Sequence, residues 1–407
     1  GRLPNFDRLR KEGACGRLGS MLPTHSALIW TTALTGKGPE AHGINSHYLL
    51  QLSGMRRPNF LTEPWMGPFE DLLVGLRLLR VLPVTSNFRR CKALWNISSD
   101  AGLRVAALGW WASQPPEKVN GWIVSEFAST GQRKELADRG KARNYPTAET
   151  TYPAALLGEI EGLDRSPESV TREEIAQFLP VDEEVWEEFR AHAAFSRSRP
   201  LTVFRAPYLK DLFFAEAALK LDREHRPDLL LSYLRGIDVF GHLFWRFSEP
   251  EAVEIGEDPR LVERYRGCVD RSYEWADRML GRYFERLGPR DTIVVLSDHG
   301  WSRRGPGQYG HGHAPPGILA VLGAHARAGA WVEGAQMLDV GPTILHLLGL
   351  PKGEDMPGRV LLEYLAGAGE PRTIPTWETS RSGTLEAIES PWAEEREAEL
   401  RALGYVK

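Results

Sequence analysis

Thr292-Ile293-Val294-Val295-Leu296-Ser297-Asp298-His299-Gly300 is the stretch on which the fold turns. A short apolar run rich in β-branched residues, stopped by Ser-Asp-His-Gly, reads as a strand buried on both faces. Leu229-Leu230-Leu231-Ser232-Tyr233-Leu234 has the same character, as do Arg104-Val105-Ala106-Ala107-Leu108 after Gly102 and Ile318-Leu319-Ala320-Val321-Leu322 before Gly323. Helical stretches precede the first two, and residues 260–287 have the spacing of one long amphipathic helix. This alternation predicts an α/β fold, a mainly parallel central sheet with helices on both faces, with 260–287 as the crossover of a parallel βαβ unit. Residues 49–90 and 113–205 fit that core poorly and read as inserted cap segments on a single domain spanning 1–407, placed where α/β enzymes set specificity.

The composition supports a globular chain. Of 407 residues, 42% are hydrophobic and 26% charged, and 50 Lys plus Arg against 54 Asp plus Glu leave a net charge of −4. That balance offers no basic field for a bulk nucleic-acid partner, while a local metal or cationic site can still hold one anionic substrate. Cys15, Cys91 and Cys268 are odd in number and far apart, which predicts free thiols. No apolar run reaches the ~20 residues a membrane helix needs. The chain opens at Gly1 with neither Met nor a signal pattern, so any targeting segment would lie outside it, and the compartment (cytoplasmic or exported) and oligomeric state stay open.

The chemistry-bearing residues cluster at strand ends. Asp298 and His299 follow one strand; Asp238 and His242, four residues apart on one face of a helical turn, follow another. Tyr309-Gly310-His311-Gly312-His313-Ala314-Pro315-Pro316-Gly317 leads into the Ile318 strand. Singly, each has a bland explanation, a capped turn or a solvated histidine. Jointly, no structural role demands them, and their donor atoms suit zinc or manganese. Ser26 opens an apolar helix that ends at Gly36, where it serves equally as N-cap and as a nucleophile at a helix N-terminus; Thr24 is the fallback.

These residues bring a family into view. From Leu3-Pro4-Asn5-Phe6, through Leu34-Thr35-Gly36 and His42-Gly43-Ile44, Asp238 to His242, Ser297-Asp298-His299-Gly300 and His313, to Leu338-Asp339-Val340-Gly341-Pro342-Thr343 and Met356-Pro357-Gly358-Arg359, the chain resembles the type I phosphodiesterase/nucleotide pyrophosphatase branch of the alkaline phosphatase superfamily. The resemblance implies an alkaline-phosphatase-like sheet and two divalent metal ions, zinc first and manganese second. It implies Ser26 as nucleophile, Asp238, His242 and His313 as ligands of one metal, with His311 the near competitor for His313, and Asp298, His299 and the Ser26 oxygen as ligands of the other. His42 is expected to be structural. Asn45 and His47 bracket the place where relatives present an Asn to the phosphoryl oxygen. Relatives carry a further metal-binding Asp on a first strand upstream of Leu3, so that strand and one ligand are expected to be missing here; Asp7 lies in the following helix instead. The sulfatase branch is disfavoured, because Ser26 is followed by Ala27, Leu28, Ile29 and Trp30 without the Pro and Arg of that pattern.

The expected reaction is metal-dependent hydrolysis of a small phosphoester, nucleotide or phospholipid-like, through a covalent phospho-serine, with activity rising toward alkaline pH. A phosphomonoesterase or phosphotransferase of the same fold and an inactive metal-binding recognition protein are the alternatives. Trp110, Trp111, Trp122, Phe244 and Trp245 offer aromatic surface for a nucleobase or lipid group, although aromatics pack cores more often.

Overall fold

The computed structural model describes residues 1–54, 72, 73, 76, 78–129, 150–191 and 200–379. Its strands form two four-stranded sheets, with three short two-stranded pairs beside them. In the first, β1 (Ala14–Gly19) lies between β8 (Trp331–Gln336), to which it is parallel, and β7 (Gly317–Gly323), to which it is antiparallel; β7 then pairs antiparallel with β6 (Thr292–Leu296). In the second, β2 (Val105–Leu108) runs parallel to both β3 (Gly121–Val124) and β5 (Leu229–Ser232), and β4 (Thr151–Tyr152) adds antiparallel to β3. All four residues of β2 are buried, as an apolar strand in mid-sheet requires.

The α/β class and the four expected strands are present, with local corrections. The expected parallel pairing of the Leu229 and Thr292 strands does not form: β5 hydrogen-bonds to β2, while β6 spends its pairing on β7, Leu296 opposite Leu319. The strands stay associated at their starts, where the Arg226 guanidinium meets Asp291 at 2.6 Å. The long helix expected over 260–287 is broken into Pro259–Tyr265 and Cys268–Phe284, because Arg266-Gly267 separates them. The 113–205 segment is also not all insertion, since β3 and β4 are strands of the second sheet. In the 49–90 segment, Tyr48–Leu52 pairs antiparallel with Leu79–Pro83; most of the residues between them fall outside the described set.

Helices that pack on these sheets and on one another include α1 (Pro4–Glu12), α2 (Ser26–Thr35), α3 (Pro200–His225), α4 (Gly236–Ser248), α5 (Cys268–Phe284) and α6 (Met337–Leu347). Every residue of α2 is buried. Its three threonines tolerate this because each hydroxyl donates to a carbonyl one turn back, Thr31 to Ala27, Thr32 to Leu28 and Thr35 to Thr31. The helix ends at Gly36, whose φ of +65° suits glycine, and α6 crosses so close that a Cβ on Gly341 would sit 3.0 Å from the Gly36 backbone.

The aromatics are mostly core. Trp110 and Trp111 pack with Trp30 and Trp95 against the sheets, Phe244 is fully buried among Phe178, Phe204 and Phe240, and Trp122 stacks on His225 at 4.3 Å. Trp245 is half-buried and stacks on Trp301. The three cysteines are free thiols. Among the described residues, no helix is long and apolar enough to cross a membrane.

Candidate functional site

The site is assembled at the ends of β5 and β6 from segments far apart in the chain. Asp238 lies in the first turn of α4 and His242 one turn later, which puts His242 Nε2 3.5 Å from Asp238 Oδ1. Directly after β6, His299 Nε2 lies 3.6 Å from Asp298 Oδ2 and 3.8 Å from Asp238 Oδ1. A hairpin over Ser302–Gly305 and Gln308–Gly310 then returns the chain to His311. His311 Nε2 is 3.0 Å from His242 Nε2 and 3.9 Å from Asp238 Oδ1, and its ring stacks on His299 at 4.0 Å. Asp238, His242, Asp298 and His299 are therefore brought together as expected.

The third imidazole is His311, not His313. His313 is exposed, whereas His311 is buried. The turn closed by Ala314 N–H donating to His311 C=O points His311 inward, and its Nδ1 lies 3.2 Å from the Thr24 hydroxyl. In a Gly-flanked loop, neither histidine has a periodicity that predetermines its side.

The Ser26 hydroxyl lies close enough to the Asp298 carboxylate to favour its charged form, which places it at the cluster's edge. Ser26 is the first residue of α2 and not its N-cap; His25 holds that position, without a side-chain cap bond. The Ser26 N–H donates instead to His47 Nε2 at 3.1 Å. His47 is buried against Trp111, while Asn45 is exposed and its carbonyl accepts from His25 Nδ1. Of the bracketing pair, then, His47 abuts Ser26.

The electrostatics are those of a desolvated acid-imidazole cluster. Burial drives the Asp298 carboxyl above the usual carboxylate range, opposed by His299 and the Ser26 hydroxyl and reinforced by Asp238. Burial, then His299, pulls His311 down to about 3, leaving its imidazole neutral, the form that ligates metals. Asp298 Oδ2 and His299 Nε2 are buried with no hydrogen-bond partner among the described residues. Such atoms are costly unless something pairs them, and a divalent cation fits this donor set. The ligand atoms of Asp238, His242 and His311 lie within 4.8 Å of one another, close enough to share an ion.

His42 stands apart from this cluster. It is buried beneath α2, its Nε2 3.0 Å from the Thr32 hydroxyl and its Nδ1 accepting from Ile44 N–H at 3.2 Å. Burial, with Arg89 nearby, lowers it to about 3. Since the folded pKa lies below the unfolded value of about 6.5, its contribution to stability is complete above that pH and is lost as pH falls toward 3. We predict that His42→Gln flattens the fall in stability below pH 6.5, where a single such group contributes a slope of up to about 1.4 kcal/mol per pH unit. Thermal melts from pH 7 to 4 check this, and equal slopes in both proteins would refute it.

The family model for type I phosphodiesterase / nucleotide pyrophosphatase matches residues 1–304. The chain belongs to this family. Among curated proteins, it is similar to the 2,3-bisphosphoglycerate-independent phosphoglycerate mutase of Synechococcus sp. (strain JA-3-3Ab), 32% identical over 105 residues. That match covers 23% of this chain and 20% of the mutase. The corresponding enzyme of Cereibacter sphaeroides is 34% identical over 97 residues, covering 22% of this chain and 19% of the mutase, so the chain spans about a fifth of the length of these relatives. Among solved structures, inactive murine ectonucleotide pyrophosphatase / phosphodiesterase 5 in complex with AMP aligns at TM-score 0.48 and 12% identity, covering 89% of this chain and 94% of that one. Phosphonoacetate hydrolase from Sinorhizobium meliloti 1021 in complex with phosphonoformate aligns at TM-score 0.35 and 18% identity, covering 74% and 51%. In this phosphodiesterase-family chain the Asp-His-Gly and Asp-x-x-x-His segments both end at the acid-imidazole cluster.

Proposed function

We propose that this chain is a phosphoric ester hydrolase that cleaves phosphodiester or pyrophosphate bonds of a small nucleotide-like or phospholipid-like substrate, 1–407 forming one catalytic domain. The observation that carries this reading is the meeting of Ser26, opening a buried helix, with Asp298 in a cluster of acids and imidazoles. Asp238, His242 and His311 would hold one divalent cation, and Asp298, His299 and the Ser26 oxygen a second, zinc before manganese. When bound, such ions neutralise phosphoryl charge and lower the pKa of coordinated oxygen ligands.

The residues of the chain do the rest. Ser26 Oγ forms the new bond to phosphorus, its proton held toward the Asp298 carboxylate, while the bond to the leaving alcohol or phosphate breaks. Water then hydrolyses the phospho-serine ester and restores the hydroxyl. His47 fixes the Ser26 backbone by accepting its N–H, and so sets the direction of Oγ. We therefore expect His47→Ala to lower kcat by roughly 10–100-fold, by analogy with a misplaced reacting group, and Asn45→Ala to leave it unchanged. Steady-state kinetics of both variants check this, and the reverse order would move the role to Asn45.

The partial match to phosphoglycerate mutases favours a second reading, phosphotransfer or monoester hydrolysis on the same site. Rates on bis(p-nitrophenyl) phosphate and p-nitrophenyl phosphate, each with added zinc or manganese, separate the two. Diester preference supports the first reading; a clear monoester preference overturns it. Cleavage of neither, with metal bound, supports a recognition protein.

A further inference from the structure

Asp211 sits on α3, which contributes no side chain to the acid-imidazole cluster, yet its carboxylate is aimed at the helix that does. At 2% exposure it is inside the protein. One oxygen accepts from Arg235 N–H at 3.0 Å and the other from Gly236 N–H at 2.7 Å, the two residues that open α4. No side chain of the N-cap residue caps α4, so Asp211 supplies from another helix what a local Ser or Asp usually supplies. Its negative charge also lies at the positive end of the α4 dipole. The fit is close: a Cβ on Gly236 would stand 2.5 Å from Asp211 Oδ2. Lys210 and Arg235 balance the charge, and with Glu126, Trp111 and Tyr233 they line the small cavity beside it.

Asp238 follows Gly236 by two residues, and His242 by one further turn. A helix whose first turn is clamped at both leading N–H groups has its rise and rotation set, so both side chains present their donor atoms at one fixed point. We propose that Asp211 is a positioning residue for the Asp238/His242 pair, holding these side chains in ligating geometry through the backbone of α4. The inference rests on the reading of Asp238 and His242 as cation ligands. A carboxylate suits the task better than an amide, because both of its oxygens accept; Asn would turn an N–H toward one of the two backbone donors.

Zinc affinity, measured by competition against a chromophoric chelator, tests this without using activity. The natural protein, Asp211→Asn, Gly236→Ala and Asp238→Asn are compared, with thermal melts of the metal-free forms alongside. The binding event removed by Asp238→Asn identifies the site. Asp211→Asn is expected to weaken that event by about 10–100-fold, the usual effect of removing a group that orients a ligand. Zinc binding in folded Asp211→Asn that equals the natural protein's overturns the proposal and leaves Asp211 as a cap that only stabilises the fold. If Asp211→Asn does not fold, Gly236→Ala decides, because its methyl displaces the carboxylate without removing its charge; weakened zinc binding supports the proposal and unchanged binding overturns it. Zinc binding unaffected by Asp238→Asn overturns the metal-site reading itself, a separate failure.

Discussion

Ser26→Ala is expected to lower kcat on the preferred ester by on the order of 10⁴-fold or more, the scale seen when a hydrolase loses its nucleophile. The fold should survive. Ser26 is the first residue of α2, where no side-chain cap bond is made, and its N–H still reaches His47 in the alanine variant. What disappears is the oxygen that would bond to phosphorus, which lies beside the Asp298 carboxylate. Ser26→Thr keeps the oxygen and is expected to retain part of the activity, limited by the added methyl in a site where Ser26 is only 5% exposed. Steady-state kinetics and mass-spectrometric trapping of the phosphorylated protein report both. The rival is Thr24, whose hydroxyl faces His311. Loss of activity in Thr24→Ala with retention in Ser26→Ala would transfer the nucleophile to Thr24.

The second large effect concerns the cations. Prolonged dialysis against a chelator should reduce activity by more than about 100-fold, with recovery on adding zinc or manganese, since such ions carry the charge stabilisation of the reaction. Binding should also stabilise the fold, by about 2.7 kcal/mol at a metal concentration a hundred times Kd, because it relieves two half-buried or buried carboxylates and the orphaned His299 Nε2. His311→Ala should weaken metal binding strongly and His313→Ala should not, because only His311 stacks on His299 and meets His242. Calorimetric titration of both variants checks the assignment. Equal binding in His311→Ala and the natural protein, with loss in His313→Ala, would return the ligand role to His313.

Much of this site was legible in the sequence because its parts follow strands. A run such as Thr292-Ile293-Val294-Val295-Leu296 forms a sheet strand, so the residues that end it, Asp298 and His299, emerge at the strand's end; the expected burial on both faces does not hold, because this is the outermost strand of its sheet and is half-buried throughout. The i, i+4 spacing of Asp238 and His242 likewise puts both on one face wherever the helix lies. The Gly-flanked loop over 310–314 has no such rule, and selection of His311 over His313 came from packing on His299. Ser26 read as an N-cap because a hydroxyl before an apolar helix commonly is one; His47, twenty-one residues on, takes its N–H instead. Trp110, Trp111 and Phe244 are large enough to suggest a binding surface, but the core needed their volume.

Local sequence thus determined the strands at Val105, Leu229, Thr292 and Gly317 and the acids and imidazoles that follow them, because secondary-structure periodicity and chain stops are short-range properties. Tertiary structure alone decided that β6 pairs with β7 and not with β5, that His311 turns inward, and that Asp211 caps a helix opening twenty-five residues later. Those outcomes depend on hydrogen-bond partners and packed surfaces supplied by distant parts of the chain, and no window along the sequence contains both sides of such a contact.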